Sequence, residues 1–385
     1  MTAPARVLFP FAGGDLVGGS HQSALRLAAG LDRSRYEPVV LVHGEGGRVA
    51  RFAAQNGLAP IRLDRPPIIA PRYSRRPGDA SAPGYLLTSL PRLAHLLRRW
   101  NIAIVHTNDG RMHLTWALPA RLAGCRLIWH HRGDPEALGV NRVAPLLAHR
   151  VVSVSDFSRP VRPVRPLGDR LRVIRSPFDK PAAQPDRAAC AEALRARIGA
   201  APGAVVLGYF GALNGRKRSD HFVRAVAEIR RALPGEDIHG AIFGRPERDC
   251  DPVERELQAL AGSLGIADRI HLMGHVSPVE PSLAGVFALL VTARGEPFGR
   301  TLIEAMHLGM PVVALATTEV VEAVPPEAGV VSTRPERLWA AVRDFLHDED
   351  AARLAGKAAR AAALERYGLD RFLRDWDALL TEVTR

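Results

Sequence analysis

The stretch Leu289–Ala314, LLVTARGEPFGRTLIEAMHLGMPVVA, leaves a chain little choice of fold. Leu289–Thr292 is a short apolar run of strand type. Arg294–Pro297 is a loop, since Gly295 breaks the pattern and Pro297 suits a helix entry. From Phe298 to Leu308 the residues Leu302, Ile303, Ala305 and Met306 recur at helical spacing. Gly309 takes the position just past a helix end, Pro311 prevents continuation, and Val312–Ala314 opens a second buried strand. The same alternation recurs along the chain. Strand-type runs stand at 6–10, 37–42, 102–106, 126–130, 150–154 and 172–174, then at 204–209, 238–244 and 269–274. Most are followed by helical periodicity. Alternating strands and helices in two halves predict an α/β protein of two doubly wound domains facing a cleft.

The predicted boundaries are a first domain at 1–175, a linker at 176–203 and a second domain at 204–365. A C-terminal helix at 366–385 crosses back onto the first domain. The linker reading rests on the prolines between Ser176 and Pro202, which leave room for one short helix. A chain of 385 residues is long enough for two cores, and 47% hydrophobic with 24% charged residues is a globular composition. No apolar run approaches the ~20 residues that span a bilayer. The first residues show no signal-peptide pattern. Three scattered cysteines fit neither a disulfide framework nor a zinc site, and point to a reducing cytosol.

The net charge of +12 is placed unevenly. Residues 1–175 hold 26 Lys and Arg against 11 Asp and Glu, whereas residues 176–385 hold 26 against 29. A basic first half implies an anionic partner. Nucleic acid is the weaker candidate, because no recognised nucleic-acid motif accompanies the charge. An anionic membrane face or an acidic acceptor fits better. The Pro/Arg-rich loop 64–83 carries Arg72, Tyr73, Arg75 and Arg76, and its length marks it as mobile or functional. The helix expected at Leu86–Trp100 sets Arg92, His95, Arg98 and Arg99 on its polar side, and the two elements together are the candidate contact surface.

Two carboxylates, Glu296 and Glu304, bracket the start of the 298–308 helix. Unpaired N–H groups and a partial positive charge invite an anion there, such as a diphosphate. Two acids beside a bound anion make poor anion ligands and good acceptors for sugar hydroxyls. A second cationic spot follows the strand 204–209, where Arg216–Lys217–Arg218 precede a helix starting at Ser219–Asp220. Clustered cations at a helix entrance suit a diphosphate, Lys as a point charge and Arg as a fork. Strand ends of open α/β sheets bind ligands, and two of these runs end in polar residues, His106–Asp109 and His130–Asp134. The glycine-rich loop 12–19 follows the first strand. Asp249–Cys250–Asp251 is a D-x-D match at a helix entrance and reads as capping, not as a metal site.

Glu-Pro-Phe-Gly followed by Glu-Ala-Met-x-x-Gly-x-Pro-Val-Val resembles the signature of retaining glycosyltransferases of the family-4 type, which have GT-B architecture. Its two glutamates correspond to Glu296 and Glu304. The resemblance implies two Rossmann-like domains facing a cleft and transfer from a nucleotide-diphosphate sugar without a metal or other cofactor. It places Glu296 by the donor sugar, Glu304 on the ribose, and the Phe298 and Gly299 amides on the sugar and phosphates, with Arg300 alongside. The loop at Gly211–Lys217 is similar to the family's Gly-Arg-Leu-x-x-x-Lys. Lys217 matches its Lys, while Ala212 replaces its Arg, so that Arg216 or Arg218 is left to substitute. Gly18–Gly19 matches a pair near the reaction centre, His130 or His131 a histidine on the donor sugar, Gly244 a Gly-x-Gly-Pro turn, and His275 a backbone site for the base. Thr318–Glu319 stands where the family has Gly-Gly, which puts the donor's identity in doubt. A nucleotide-sugar epimerase of the same fold, or a non-catalytic sugar- or membrane-binding relative, is the alternative reading.

Overall fold

The computed structural model describes residues 3–14, 17–44, 46–178, 184–215, 217–246, 252–293, 299–315 and 318–384, with the side chains of Tyr73 and residues 318–320 left aside. Two compact units divide the chain: Met1–Pro177 with Leu369–Arg385, and Phe178–Gly368.

The first unit is built on a seven-stranded sheet. Its strands are β1 (Ala5–Ala12), β2 (Tyr36–His43), β3 (Ile61–Leu63), β4 (Ile102–Thr107), β5 (Arg126–His131), β6 (Arg150–Ser153) and β7 (Leu171–Val173). The order is β3-β2-β1-β4-β5-β6-β7 and every pair is parallel. Parallel strands require crossover connections that cover both faces, which is why these strands read as apolar runs. On one face the helix Gly19–Gly30 and the C-terminal helix Leu369–Thr384 enclose Phe9, Phe11, Leu25, Phe372 and Trp376. On the other, the helices Leu90–Arg99 and Gly110–Ala123 enclose Leu8, Leu93, Trp116 and Trp129.

The second unit has six strands, all parallel: β8 (Val205–Phe210), β9 (Ile238–Phe243), β10 (Ile270–Gly274), β11 (Ala288–Val291), β12 (Val312–Leu315) and β13 (Gly329–Ser332). The order is β10-β9-β8-β11-β12-β13. The strand order reverses direction between β1 and β4 in the first unit and between β8 and β11 in the second. Each is a topological switch point, where the loops leaving neighbouring strands part and open a crevice.

Two regions differ from the sequence expectation. Within the stretch read as a linker, the helix Arg187–Ile198 belongs to the second unit and packs on the helix Glu280–Gly285. The crossing is close: a Cβ on Gly285 would stand 2.7 Å from the Cys190 carbonyl oxygen. The long loop 64–83 is tied down. Asp79 pairs with Arg111 at 2.5 Å, both side chains nearly buried, and Thr115 exchanges hydrogen bonds with the Ile69 backbone. The helix after it begins with a π-helical turn, Tyr85–Ser89, which turns Tyr85 and Ser89 inward and leaves Leu86 and Leu87 exposed.

The C-terminal helix completes a histidine cluster in the first unit. His106 Nε2 and His130 Nδ1 are 3.2 Å apart, and the Trp376 ring lies 4.9 Å and 5.0 Å from the two imidazoles. His113 stacks on Trp129 and hydrogen-bonds Thr107 Oγ1 at 2.7 Å. Burial pushes His106 down to about 3 and holds His113 and His130 well below the usual histidine range. These rings fold neutral, whereas an unfolded chain protonates them below its ordinary value near 6.5. The cluster's contribution to stability is therefore present above that value and is lost as the pH falls below it. Across the pH interval 6 to 5 each such proton approaches a slope of about 1.4 kcal/mol per pH unit, and His43 and His131, also pushed down to about 4, add to the cluster's share. Urea titrations of the first unit's tryptophan fluorescence at pH 7.5, 6.0 and 5.0 measure it; a slope near zero would contradict the neutral cluster.

Candidate active site

In the second unit the candidate residues collect on the C-terminal edge of the sheet, at the switch between β8 and β11. Parallel pairing sets Leu289 beside Gly208, so the chain leaving Phe210 and the chain leaving Val291 rise together. A small pocket there is lined by Tyr209, Phe210, Lys217, Thr292, Gly299 and Thr301. The Lys217 backbone N–H is held by Asn214, donating to its side-chain oxygen at 3.0 Å and lying 3.1 Å from its carbonyl. Thr292 Oγ1 donates to the carbonyls of Lys217 and Arg218 at 3.3 and 2.9 Å, which staples the cationic loop to the end of β11. Arg218 adopts φ 54°, a left-handed conformation at the start of the helix Ser219–Ala232, and its side chain reaches Asp220 and His221.

Gly244 is there because nothing larger fits. A Cβ on it would lie 1.9 Å from the Gly211 carbonyl oxygen, while its own N–H donates to Gly274 O at 2.9 Å. This packs the ends of β8, β9 and β10 together and leaves His275 exposed on the adjoining turn.

The helix Arg300–His307 starts at Gly299, whose φ of 61° is left-handed and costs glycine no strain. Among the described residues no side chain caps this end, where the first N–H groups of a helix have no partner within the helix. One turn on, Glu304 accepts from Arg300 Nε at 3.0 Å. Burial raises the Glu304 carboxyl above its ordinary value, with Arg300 pulling in the opposite direction. Arg300 also lies over the Phe178 ring at 5.5 Å. Lys217, Arg218, Gly299, Arg300 and Glu304 thus share one end of the sheet. Arg216, Glu296, Phe298 and the pair Asp249 and Asp251 lie outside the described residues.

In the first unit, the β1/β4 switch brings together groups that the sequence patterns did not single out. Asp109 caps the helix Gly110–Ala123, accepting from the N–H groups of Arg111 and Met112 at 2.9 Å each. Burial raises its carboxyl. Burial lowers His21, with Asp109 pulling it up and Arg132 down. The guanidinium of Arg132 is enclosed enough to be pushed down to about 9, and it donates to Ser176 Oγ at 2.9 Å. Gly18 and Gly19 stand at the start of the helix Gly19–Gly30, where the Gly18 N–H meets His21 Nδ1 at 3.3 Å.

His130 is fully buried, and its ring faces His106 and Trp376 instead of the strand end. In this conformation it presents no surface to a ligand. His131, on the opposite side of the strand, keeps 6% exposure and is pushed down to about 4 by burial; its Nε2 lies 3.0 Å from the Asp134 carbonyl oxygen. The only available signal for Asp109 and His21 was position: a strand-end Asn-Asp before a helix, and a polar residue in the first turn after a glycine loop.

The model for Glycosyltransferase Family 4 matches residues 17–180, and that for Glycosyl transferases group 1 matches residues 204–348. A D-inositol 3-phosphate glycosyltransferase of Nocardia farcinica is 32% identical over 203 residues, 51% of this chain and 44% of the relative. A GDP-mannose-dependent alpha-(1-6)-phosphatidylinositol monomannoside mannosyltransferase of Mycolicibacterium smegmatis is 32% identical over 164 residues, 40% of this chain and 41% of the relative. The matches therefore span less than half the length of these curated relatives. Anabaena Alr3699/HepE, solved with UDP-glucose, shares the fold at a TM-score of 0.77 and 18% identity, over 98% of this chain and 99% of that one. With both halves matched by family models and two all-parallel α/β units behind them, the chain belongs to the family-4 glycosyltransferases of GT-B architecture.

Proposed function

We propose that this chain is a retaining, metal-independent glycosyltransferase that moves a sugar from a nucleotide-diphosphate sugar to a glycan or lipid-linked acceptor at an anionic membrane face. The observation that carries the reading is the meeting of Lys217 with the uncapped start of the helix Arg300–His307 in one pocket at the β8/β11 switch. A point cation and a helix N-terminus fixed side by side are suited to a diphosphate, and become more valuable as negative charge grows on a leaving group. Lys217, with Arg216 and Arg218 beside it, meets that charge, which is the work a metal does elsewhere. The Phe298 and Gly299 amides and Arg300 complete the phosphate side. Glu296 holds the sugar hydroxyls, Glu304 the ribose, and Gly244 with the backbone at His275 the base. From the first domain, Gly18–Gly19 and His131 meet the sugar, since His130 is enclosed by His106 and Trp376.

In the transfer step the bond between the anomeric carbon and the β-phosphate oxygen breaks. The acceptor oxygen bonds to the same face of that carbon, and its proton passes to the departing phosphate. The configuration is thereby retained with no covalent enzyme intermediate. The nucleotide-sugar donor is supported by the UDP-glucose bound in the HepE structure and by the GDP-mannose in the mycobacterial relative's name.

The membrane part of the reading rests on the first unit. Between residues 80 and 133 five arginines are exposed, Arg92, Arg98, Arg99, Arg121 and Arg126, and the one acid there, Asp109, is an internal helix cap. Leu86 and Leu87 are 52% and 78% exposed, and the helix they lead into presents Arg92, His95, Arg98 and Arg99 to solvent. Arg98 donates to the Leu122 carbonyl, which joins this surface to Arg121 and the exposed Leu118 and Leu122. Exposed leucines among exposed arginines are suited to an anionic bilayer surface. Among the described residues, no helix is long and apolar enough to cross a membrane.

Replacing Glu296 with Gln is expected to lower transfer at least 100-fold while nucleotide affinity stays within threefold. NMR of the wild-type product should show the donor's anomeric configuration; an inverted product or undiminished turnover of the variant would contradict the mechanism. Wild-type protein should sediment with phosphatidylglycerol vesicles and not with phosphatidylcholine, and Leu87→Glu should weaken this several-fold. Equal sedimentation with both lipids, or none, would remove the membrane from the reading.

A further inference from the structure

The second unit has a larger cavity at the opposite edge of its sheet. It measures about 410 Å³ and lies where β8 and β11 begin. The helix Arg187–Ile198 supplies one wall. Arg187, Ala191 and Arg195 recur every four residues on the face that lines the cavity, and the small Ala191 between two long side chains is what leaves the space open. Phe287, Phe345 and Leu346 supply an apolar opposite wall.

The two arginines are poorly satisfied. Arg187 Nη2 reaches the carbonyls of Val286 and Phe287 only at 3.4 Å, and Arg195 Nη1 reaches Ala204 O at 3.5 Å. Both Nε atoms are shielded from solvent and have no partner among the described residues. No carboxylate among the described residues pairs with either guanidinium; Glu349, the one acid in the lining, is exposed at the rim. Half-buried guanidinium groups with idle donors and no counter-charge are costly, and an oxyanion seated between them would recover that cost. The volume is that of a small-molecule site.

We propose that this cavity binds a small organic anion: an oxyanion head, carboxylate or phosphate monoester, on an apolar body about the size of one aromatic ring. The head lies between Arg187 and Arg195 and the body against Phe287, Phe345 and Leu346. The rim carboxylate of Glu349 selects a compact, singly headed anion over a polyanion. The site is distinct from the nucleotide pocket. Val205 and Val206 line the cavity, whereas Tyr209 and Phe210 line that pocket, so the nearest lining residues are three positions, about 10 Å, apart along β8.

Saturation-transfer NMR on the full chain, with phenyl phosphate, benzoate and the neutral benzyl alcohol as probes, tests the assignment. Saturable binding of phenyl phosphate, benzoate or both is expected at millimolar concentration or below, with benzyl alcohol at least tenfold weaker. The stronger anion identifies the preferred head. Arg187→Gln with Arg195→Gln should weaken binding at least tenfold, and Ala191→Trp, which fills the cavity and keeps both cations, should abolish it. Saturating UDP and Lys217→Ala should leave it unchanged. Failure of both anions to bind, binding that survives Ala191→Trp, or loss of binding in Lys217→Ala would overturn the proposal. The last result would place the probe in the nucleotide pocket.

Discussion

β8 and β11 lie side by side and parallel, yet β9 and β10 lie between them in the chain. That pairing is the constraint on which the rest of the second unit depends. The chain leaving β8 turns toward β9 on one side, and the chain leaving β11 turns toward β12 on the other. The two loops part directly above the paired strands, and each runs into a helix whose first N–H groups point back at the gap. The cationic loop at Lys217 and the uncapped helix at Gly299 are the two sides of that gap. Thr292, just past the end of β11, holds the Lys217 loop to that strand through its hydroxyl. The first unit repeats the plan between β1 and β4, with Asp109 capping the helix beyond the switch.

The site is electrostatically one-sided. Lys217 and Arg218 stand at the switch itself, while the nearest described acid on the facing helix, Glu304, is one turn along and already engaged by Arg300. Burial raises the Glu304 carboxyl, and Arg300 offsets part of that shift. A ligand that brought its own hydroxyls would take over part of that work. Across the first unit the balance is reversed in kind: neutral buried histidines fill the strand ends, and positive charge is carried on the outer helices.

Much of this was legible in the sequence for a physical reason. Parallel strands covered on both faces have to be apolar runs, and the crossover helices between them have to be amphipathic, so the alternation in the chain is the topology written out. The strand–loop–helix–strand of 289–314 was readable almost residue by residue, because Gly309 and Pro311 punctuate it. What escaped notice lacked local signals. One short helix is expected between Ser176 and Pro202, but the membership of Arg187–Ile198 in the second unit has no local signal, since it buries little beyond Leu194. The pinning of loop 64–83 depends on an ion pair between Asp79 and Arg111, far apart in sequence. The orientation of His130 depends on which side of β5 it takes against His106 and on Trp376 from the other end of the chain. Strand-end position alone does not say which face a side chain takes. Likewise His21, Asp109 and Arg132 are brought into one field only by the closing of the sheet.

The central claim is that Lys217 and the helix beginning at Gly299 hold a nucleotide diphosphate without a metal. Isothermal titration of UDP, GDP, ADP and TDP into the wild type and Lys217→Ala, each in EDTA and in magnesium, tests it most directly. One nucleotide should bind with the same affinity in both buffers and at least tenfold more weakly to the variant, a loss of about 1.4 kcal/mol or more. Binding that requires magnesium and is untouched by Lys217→Ala, or no binding of any nucleotide, would contradict it.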